Sequence, residues 1–306
     1  MPLSQMAIQE FFNGLAYIVW DSWFLWLPVI LSLTFWKLWI YYIHARFIKG
    51  GSWILLEMKL PREIMKSPQA MESVLNAFHI TRDGNFKERF WKGLLRVCFS
   101  LEIASINGEI HFFIYTQKFF RNLIEAQIYA QYPDVEIMEV DDYTKISLDE
   151  SFGEEWNSWG AEFQLTKEDP YPIKTYIDYG LHETAAKEEQ KTDPITSFLE
   201  LIGSLKEGEQ VWFQILIRAT KSDWKEEAKK IIDKMMKRDE KPKEGEDRVS
   251  MGALMLSPGE RDVVQAIERD VSKLGFDVGI RTIYVARKDS FNDINKPALI
   301  AVMKQY

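Results

Sequence analysis

The chain has 306 residues, with 46 acidic against 38 basic side chains, a net charge of −8 and 46% hydrophobic residues. That apolar content excludes a disordered acidic tail, and the length suits about two domains. A lone cysteine, Cys98, excludes an internal disulfide framework and fits a reducing compartment, while the acidic balance argues against general affinity for nucleic acid.

From Trp23 to Ile43 the sequence reads WFLWLPVILSLTFWKLWIYYI, which as a helix spans about 30 Å, the thickness of a bilayer core. Pro28 sits near its start, where a helix loses least from a missing N–H, and Lys37 is close enough to the far end to snorkel. Trp23 and Trp26 at one end, with Trp36, Trp39, Tyr41 and Tyr42 at the other, have the placement of two interfacial aromatic belts. Residues 1–22 hold no Lys or Arg, whereas Arg46, Lys49, Lys59, Arg62 and Lys66 follow the span. The positive-inside rule therefore predicts a single pass through the inner (cytoplasmic) membrane, N-terminus outside and body in the cytoplasm. A cleaved signal peptide would need a basic leader and a small-residue cleavage site, neither of which is present. Leu3, Met6, Ala7, Phe11, Leu15 and Ile18 recur at helical spacing, so residues 1–22 read as an extracytoplasmic interfacial segment.

After the Gly50-Gly51 hinge, SWILLEMKL (52–60) predicts a strand ended by Pro61, and Ser67-Pro68 opens a helix with Met71, Val74, Leu75 and Phe78 inward. VCFSLEIASI and EIHFFIYT flank Asn107-Gly108, the dipeptide suited to a type I′ hairpin turn. A helix over 117–131, with Phe120, Leu123, Ile124 and Ile128 on one face, and a strand over 134–140 complete the order β-α-β-β-α-β. That order predicts a ferredoxin-like module over 51–142. The basic, aromatic stretch 86–95 between helix and hairpin reads either as an extra helix packed on this module or as a segment lying at the membrane.

A second α+β module is predicted over 159–290. It has strands at 159–166 and 173–179, a helix opened by Asp193-Pro194 with Ile195, Phe198, Leu199 and Ile202 inward, and an alternating strand at 209–219. The sequence KTDPITSFLELIGSL echoes KSPQAMESVLNAF of the first half, which points to an internal repeat. Residues 223–236 form an amphipathic charged helix, and KRDEKPKEGEDR (237–248) is a solvated charged loop. Ser257-Pro258-Gly259-Glu260 starts a helix with Val263, Ile267, Val271 and Leu274 inward, followed by a strand at 276–286. Residues 291–306 form a final helix whose apolar side needs a cover, either a docking surface or further chain. The fold class is thus α+β: a transmembrane helix (23–43) followed by two ferredoxin-like modules.

No GxxxxGK[ST] or glycine-rich dinucleotide fingerprint occurs, and the histidines His44, His79, His111 and His182 lack metal-ligand spacing. No catalytic residue, cofactor or metal site is predicted. Cys98 reads as a small apolar strand residue. The acidic run Glu136, Glu139, Asp141 and Asp142 lacks calcium-loop spacing and reads as a solvated turn. Two alternatives stay open: an enzyme using carboxylates such as Glu102 or Asp141, and a single-strand nucleic-acid platform built from His111, Phe113 and Tyr115 on one strand face.

The stretches GSWILLEMKLPREIMKSPQAMESVLNAFH, EIHFFIYTQKFFRNLIEAQIYAQYPDVEI and KTDPITSFLELIGSLKEGEQVWFQILIRAT resemble an uncharacterised family of membrane-anchored proteins from small-genome candidate-phylum (Patescibacteria-type) bacteria. That family is similar in turn to the regions preceding the motor domain in conjugation and type IV secretion ATPases. The resemblance covers about residues 50–290, and GFDVGIRTIYVA is similar to the segment just ahead of the motor. Together with the single span, the Gly50-Gly51 hinge and a body without catalytic motifs, it points to a non-enzymatic anchor and assembly module, with the lipid bilayer and further copies of the chain and/or a motor ATPase as partners. The chain departs from those ATPases in having no Walker A or Walker B element, so ATP hydrolysis does not carry over. A motor would lie in a continuation past Tyr306 if the family extends there.

Overall fold

The computed structural model describes residues 13, 17, 20–61, 67–148, 152–181, 193–221, 223–236 and 256–306. The interfacial helix expected over residues 3–18, the charged loop 237–248 and His182 lie outside the described residues or almost wholly so. In chain order the elements are α1 (Trp23–Gly50), β1 (Trp53–Lys59), α2 (Gln69–Ala77), α3 (Phe86–Phe90), β2 (Phe99–Ile106), β3 (Glu109–Gln117), α4 (Arg121–Gln131) and β4 (Glu136–Val140). The second half adds α5 (Phe152–Glu155), β5 (Trp156–Phe163), α6 (Pro194–Gly203), β6 (Glu209–Ala219), α7 (Trp224–Met235), α8 (Pro258–Val271), β7 (Phe276–Arg287) and α9 (Asn295–Ala301).

Two compact units result: α1 with Asp83–Leu95, and Ser52–Arg82 with Arg96–Tyr306. In the first, α1 is 28 residues long, about 42 Å, and so outruns the apolar stretch by roughly two turns. Gly51, with extended dihedrals, ends it. One residue of α1, Ile43, is buried; Gly93 lies against its carbonyl so closely that a Cβ at Gly93 would sit 2.4 Å from the oxygen. Of the two readings of 86–95, the structure groups the stretch with α1 rather than with the first module.

In the second unit all seven strands form one antiparallel sheet in the order β4-β1-β3-β2-β6-β7-β5. The β2–β3 hairpin turns on Asn107 and Gly108 at φ 55° and 85°, the left-handed pair that a type I′ turn requires. The halves meet along β2 and β6, in register from Phe99↔Ile217 to Ile106↔Gln210. Asn107 reinforces the seam: its N–H donates to Glu209 O (3.1 Å) and its side-chain oxygen accepts from Gly208 N–H (2.9 Å). Ser105 Oγ donates to Ile202 O across it at 2.6 Å. Two folded halves are thus sewn into a single sheet rather than standing as separate bodies.

Strand alternation sends one set of side chains under the helices and the other to the opposite face. On the helix side, Phe78, Phe99, Ile124 and Ile128 pack α2 and α4 onto the first four strands. Phe198, Ile202, Phe213, Tyr284 and Leu299 do the same for α6 and α9. Each such burial is worth about 1.5–3 kcal/mol before conformational entropy is charged. Helices α7 and α8 close a smaller core through Ala228, Ile232, Val264 and Ile267. Ser257 caps α8 with the expected reciprocal pair: its Oγ accepts from Glu260 N–H, and Glu260 Oε2 accepts from Ser257 N–H at 2.8 Å.

Several expectations need correction. Residues 173–179 are irregular chain leading into a turn at 176–179, not a strand: Asp178 Oδ2 accepts from both Thr175 N–H (2.7 Å) and Thr175 Oγ (2.9 Å), which folds the backbone back on itself. The strand expected at 159–166 starts earlier, at Trp156, because its pairing with β7 runs from Trp156↔Arg287 to Phe163↔Ile280. Met71 and Leu274, expected inward, are exposed. The apolar side of 291–306 is partly covered within the chain: Leu299 is buried, Gln305 Nε2 donates to Pro194 O (2.6 Å), and Tyr179 OH donates to Gln305 O (2.6 Å), while Ile294 and Ile300 stay exposed.

Candidate functional site

The belt residues are placed by helical geometry alone. Trp23, Trp26, Trp36, Lys37, Tyr41 and Tyr42 are exposed on α1, and the interval from Trp23 to Tyr42 is about 28 Å at helical rise. Trp39 is half-buried. Its indole N–H donates to Phe90 O at 3.1 Å, and its ring meets Trp91 edge-on with centroids 5.8 Å apart. Trp36 lies 5.6 Å from the Phe90 ring. One belt is thus partly engaged by α3 and its flank, a contact with no sequence signal beyond the aromatic richness of that stretch.

The three platform residues do share a face. His111, Phe113 and Tyr115 alternate along β3 on the side away from the helices. Their rings are already partnered: His111 stacks on Phe113 (5.7 Å, 9°), Phe113 on Tyr143 (5.0 Å, 22°), and Tyr115 on Trp53 (5.4 Å, 7°). Phe113 is 4% exposed, so a nucleobase finds no open ring there. His111 Nδ1 is also 2.7 Å from Glu57 Oε1, and the carboxylates of Glu57 and Glu102 on this face oppose a phosphate backbone.

Beside them runs a buried polar chain that sequence reasoning missed. Tyr143 OH donates to Glu102 Oε2 (2.5 Å), Gln214 Nε2 donates to Tyr143 OH (3.1 Å), and Arg281 Nε donates to Gln214 Oε1 (2.7 Å). Glu102 is 6% exposed. Burial, reinforced by the Glu102 charge, pushes the Tyr143 phenol far above its ordinary range, so it stays a donor throughout the accessible pH range. The residues come from β2, β6, β7 and the 3-10 turn Tyr143–Leu148, and only the pairing of β2 with β6 and β6 with β7 aligns them. Tyr143 also meets Trp212 edge-on at 5.4 Å, so it pins the turn against the sheet.

Glu102 and Asp141, the carboxylates weighed for acid–base chemistry, sit in opposite environments. Glu102 is buried under Tyr143, whereas the Asp141 side chain is 98% exposed and paired with Lys145 at 2.8 Å. Glu139 of the acidic run pairs with Arg121 (2.7 Å), and Asp142 Oδ1 accepts from Thr144 N–H and Oγ. Among the described residues no group of three or more His, Cys, Asp or Glu is placed to hold a metal ion. Cys98 stands one residue before β2 and is half-buried, not within the strand. Burial raises its thiol pKa, with Arg218 pulling the other way, which favours the unreactive form. His79 meets Phe276 edge-on at the rim of an open cleft of about 320 Å³ lined by Trp224 and Gly275. His44 lies on α1 beyond the belt.

A second buried carboxylate, Glu209, also lacks an obvious sequence signal. Glu209 Oε1 accepts from Tyr284 OH (2.5 Å) and Asn295 Nδ2 (3.0 Å), and its other oxygen accepts from Lys206 N–H (2.9 Å). With three donors aimed at one 5%-exposed carboxylate, this cluster fastens α9 to the sheet.

Compared with known proteins, residues 51–293 match the family profile described as a domain of unknown function (DUF8128). The matched region begins where α1 ends. No curated protein and no solved structure matches the chain.

Proposed function

This chain belongs to the DUF8128 family, and from its architecture we propose that it is a non-enzymatic, single-pass membrane anchor whose cytoplasmic body serves as an assembly module. One observation carries the reading: α1 is long and apolar enough to cross a bilayer, none of its most apolar window is buried, and two residues later the chain enters β1 of the sheet. A core helix of a soluble protein would bury that surface. The basic residues after the span favour a body on the cytoplasmic side of the inner membrane.

The finer architecture suggests how the body assembles. The first half has the strand order β4-β1-β3-β2 of a ferredoxin-like module. We read the second half as the same plan with its strands in the order β6-β7-β5, α6 and α9 taking the places of α2 and α4, and α7 and α8 inserted between β6 and β7. In that plan the position beside β5 corresponds to the one that β4 fills beside β1. Among the described residues β5 has no strand neighbour there, so its outer edge is the surface where a further strand completes the sheet. The partner we favour is a second copy or a motor ATPase of a type IV secretion or conjugation-like machine.

Alkaline carbonate extraction of membranes containing the full chain tests the anchor: retention in the pellet is expected, and release into the supernatant overturns it. Zero-length cross-linking in membranes, followed by detergent purification, tests the assembly. Recovery of the chain in species containing neither another copy nor a secretion ATPase overturns that part.

A further inference from the structure

We propose that Asp83–Leu95 is a preformed collar around the emerging end of α1, and that its ligand is the anionic phospholipid headgroup layer of the leaflet facing the body. The inference rests on the anchor reading, and it adds a binding site that the span alone does not supply.

The segment is built rather than slack. Glu88 Oε2 accepts from Asn85 N–H (2.9 Å) and Glu88 O accepts from Leu94 N–H (2.9 Å), closing a short loop around α3. Gly84 and Gly93 hold left-handed dihedrals at its two ends, φ 68° and 72°. At Gly93 the absent Cβ is what lets the backbone reach the Ile43 carbonyl. Its contacts on α1 fall at Trp36, Trp39 and Ile43, the last two turns of the apolar run. If α1 crosses a bilayer, those turns lie at the boundary between acyl chains and headgroups, and whatever is docked on them lies there too. The remaining seven residues of α1, about 10 Å, rise beyond.

What the collar presents matches that layer. Phe86 and Trp91 are 65% and 64% exposed, an unfavourable state in water for two large rings and the usual one for interfacial anchors. Lys87, Arg89 and Lys92 are exposed among them, and Arg46 and Lys49 are exposed on the adjoining end of α1. Two acids, Asp83 and Glu88, share the loop, and Glu88 is taken up by the closure just described. A chain with a net charge of −8 thus gathers cations at the end of α1 that joins the body. Each Lys or Arg near an anionic leaflet contributes about 1 kcal/mol, roughly a fivefold factor in local association.

The test uses the full chain reconstituted in vesicles of phosphatidylcholine, with and without phosphatidylglycerol. Cys98→Ser, or Cys98→Ala should the first fold poorly, provides a background for single cysteines at Phe86 or Trp91 in the collar and at Leu31 in the span, each labelled with an environment-sensitive fluorophore. The expected result is quenching of the span label by deep nitroxide lipids and of the collar labels by shallow ones. The collar signal should strengthen with phosphatidylglycerol and weaken in Lys87→Glu/Arg89→Glu/Lys92→Glu. A quenched span label with collar labels open to aqueous iodide in both vesicle types overturns the collar and leaves the anchor standing. Collar quenching indifferent to phosphatidylglycerol and to charge reversal overturns the anionic ligand. A span label open to iodide overturns the anchor, and the collar with it.

Discussion

Tyr143→Phe isolates one buried hydrogen-bonded pair with little change of shape. The ring keeps its stacking on Phe113 and its edge contact with Trp212, but Glu102 loses the hydroxyl that donates to it at 2.5 Å and Gln214 loses an acceptor at 3.1 Å. A hydrogen bond to a buried charged group is worth about 1.5–3 kcal/mol, and Glu102 is 6% exposed, so water replaces little of it. We expect a loss of about 2–3 kcal/mol. In urea unfolding of the full chain in mild detergent, followed by near-ultraviolet dichroism, that moves the midpoint down by about 1 M at a slope of ~2–3 kcal/mol/M. Glu102→Gln keeps an acceptor and sheds the buried charge, and should cost under about 1 kcal/mol; the double variant should recover part of the Tyr143→Phe loss. A Tyr143→Phe midpoint within about 0.5 kcal/mol of the parent would refute a structural role for the pair and return Glu102 to consideration as an acid–base group.

Glu209→Leu strands the Tyr284 hydroxyl, the Asn295 amide and the Lys206 N–H; a loss of about 3 kcal/mol is expected, with hydrogen exchange accelerating first in Asn295–Gln305. Gly108→Ala places a Cβ 2.7 Å from Leu205 O at φ 85° and should cost more than about 1 kcal/mol in the same unfolding assay. Ser257→Ala removes the α8 cap and should cost about 1 kcal/mol. Burial raises the Asp270 pKa despite Lys273 and Arg269 pulling it down, so the fold favours its protonated form. That contribution is present below the ordinary carboxyl range and lost as pH rises through the raised value. Asp270→Asn should therefore match the parent at acid pH and melt at a higher temperature at neutral pH; equal melting at neutral pH would contradict the shift.

Short-range chemistry made much of this protein legible. The apolar run of α1, the Asn107-Gly108 turn, the Asp193-Pro194 start of α6 and the Ser257/Glu260 cap each rest on dihedral preferences or hydrogen bonds within about four residues, and each stands where the sequence puts it. Alternation likewise told which residues of β3 and β6 share a face. It could not tell what lies across from them, because a period of two is satisfied by any neighbour. Hence the pairing of β2 with β6, which turns two halves into one sheet, was not readable, nor was the alignment of Glu102, Gln214 and Arg281 that follows from it. Tyr143 covers Phe113 from thirty residues away, and Trp39 hands its N–H to Phe90 across 51 residues of chain. Residues 173–179 had strand composition, yet the Asp178 carboxylate captured Thr175 and made a turn. Local preferences set elements and faces because their energies are confined to a few bonds. Which face meets which, and which polar groups are buried together, depends on packing the whole chain at once, and only the tertiary structure decided that.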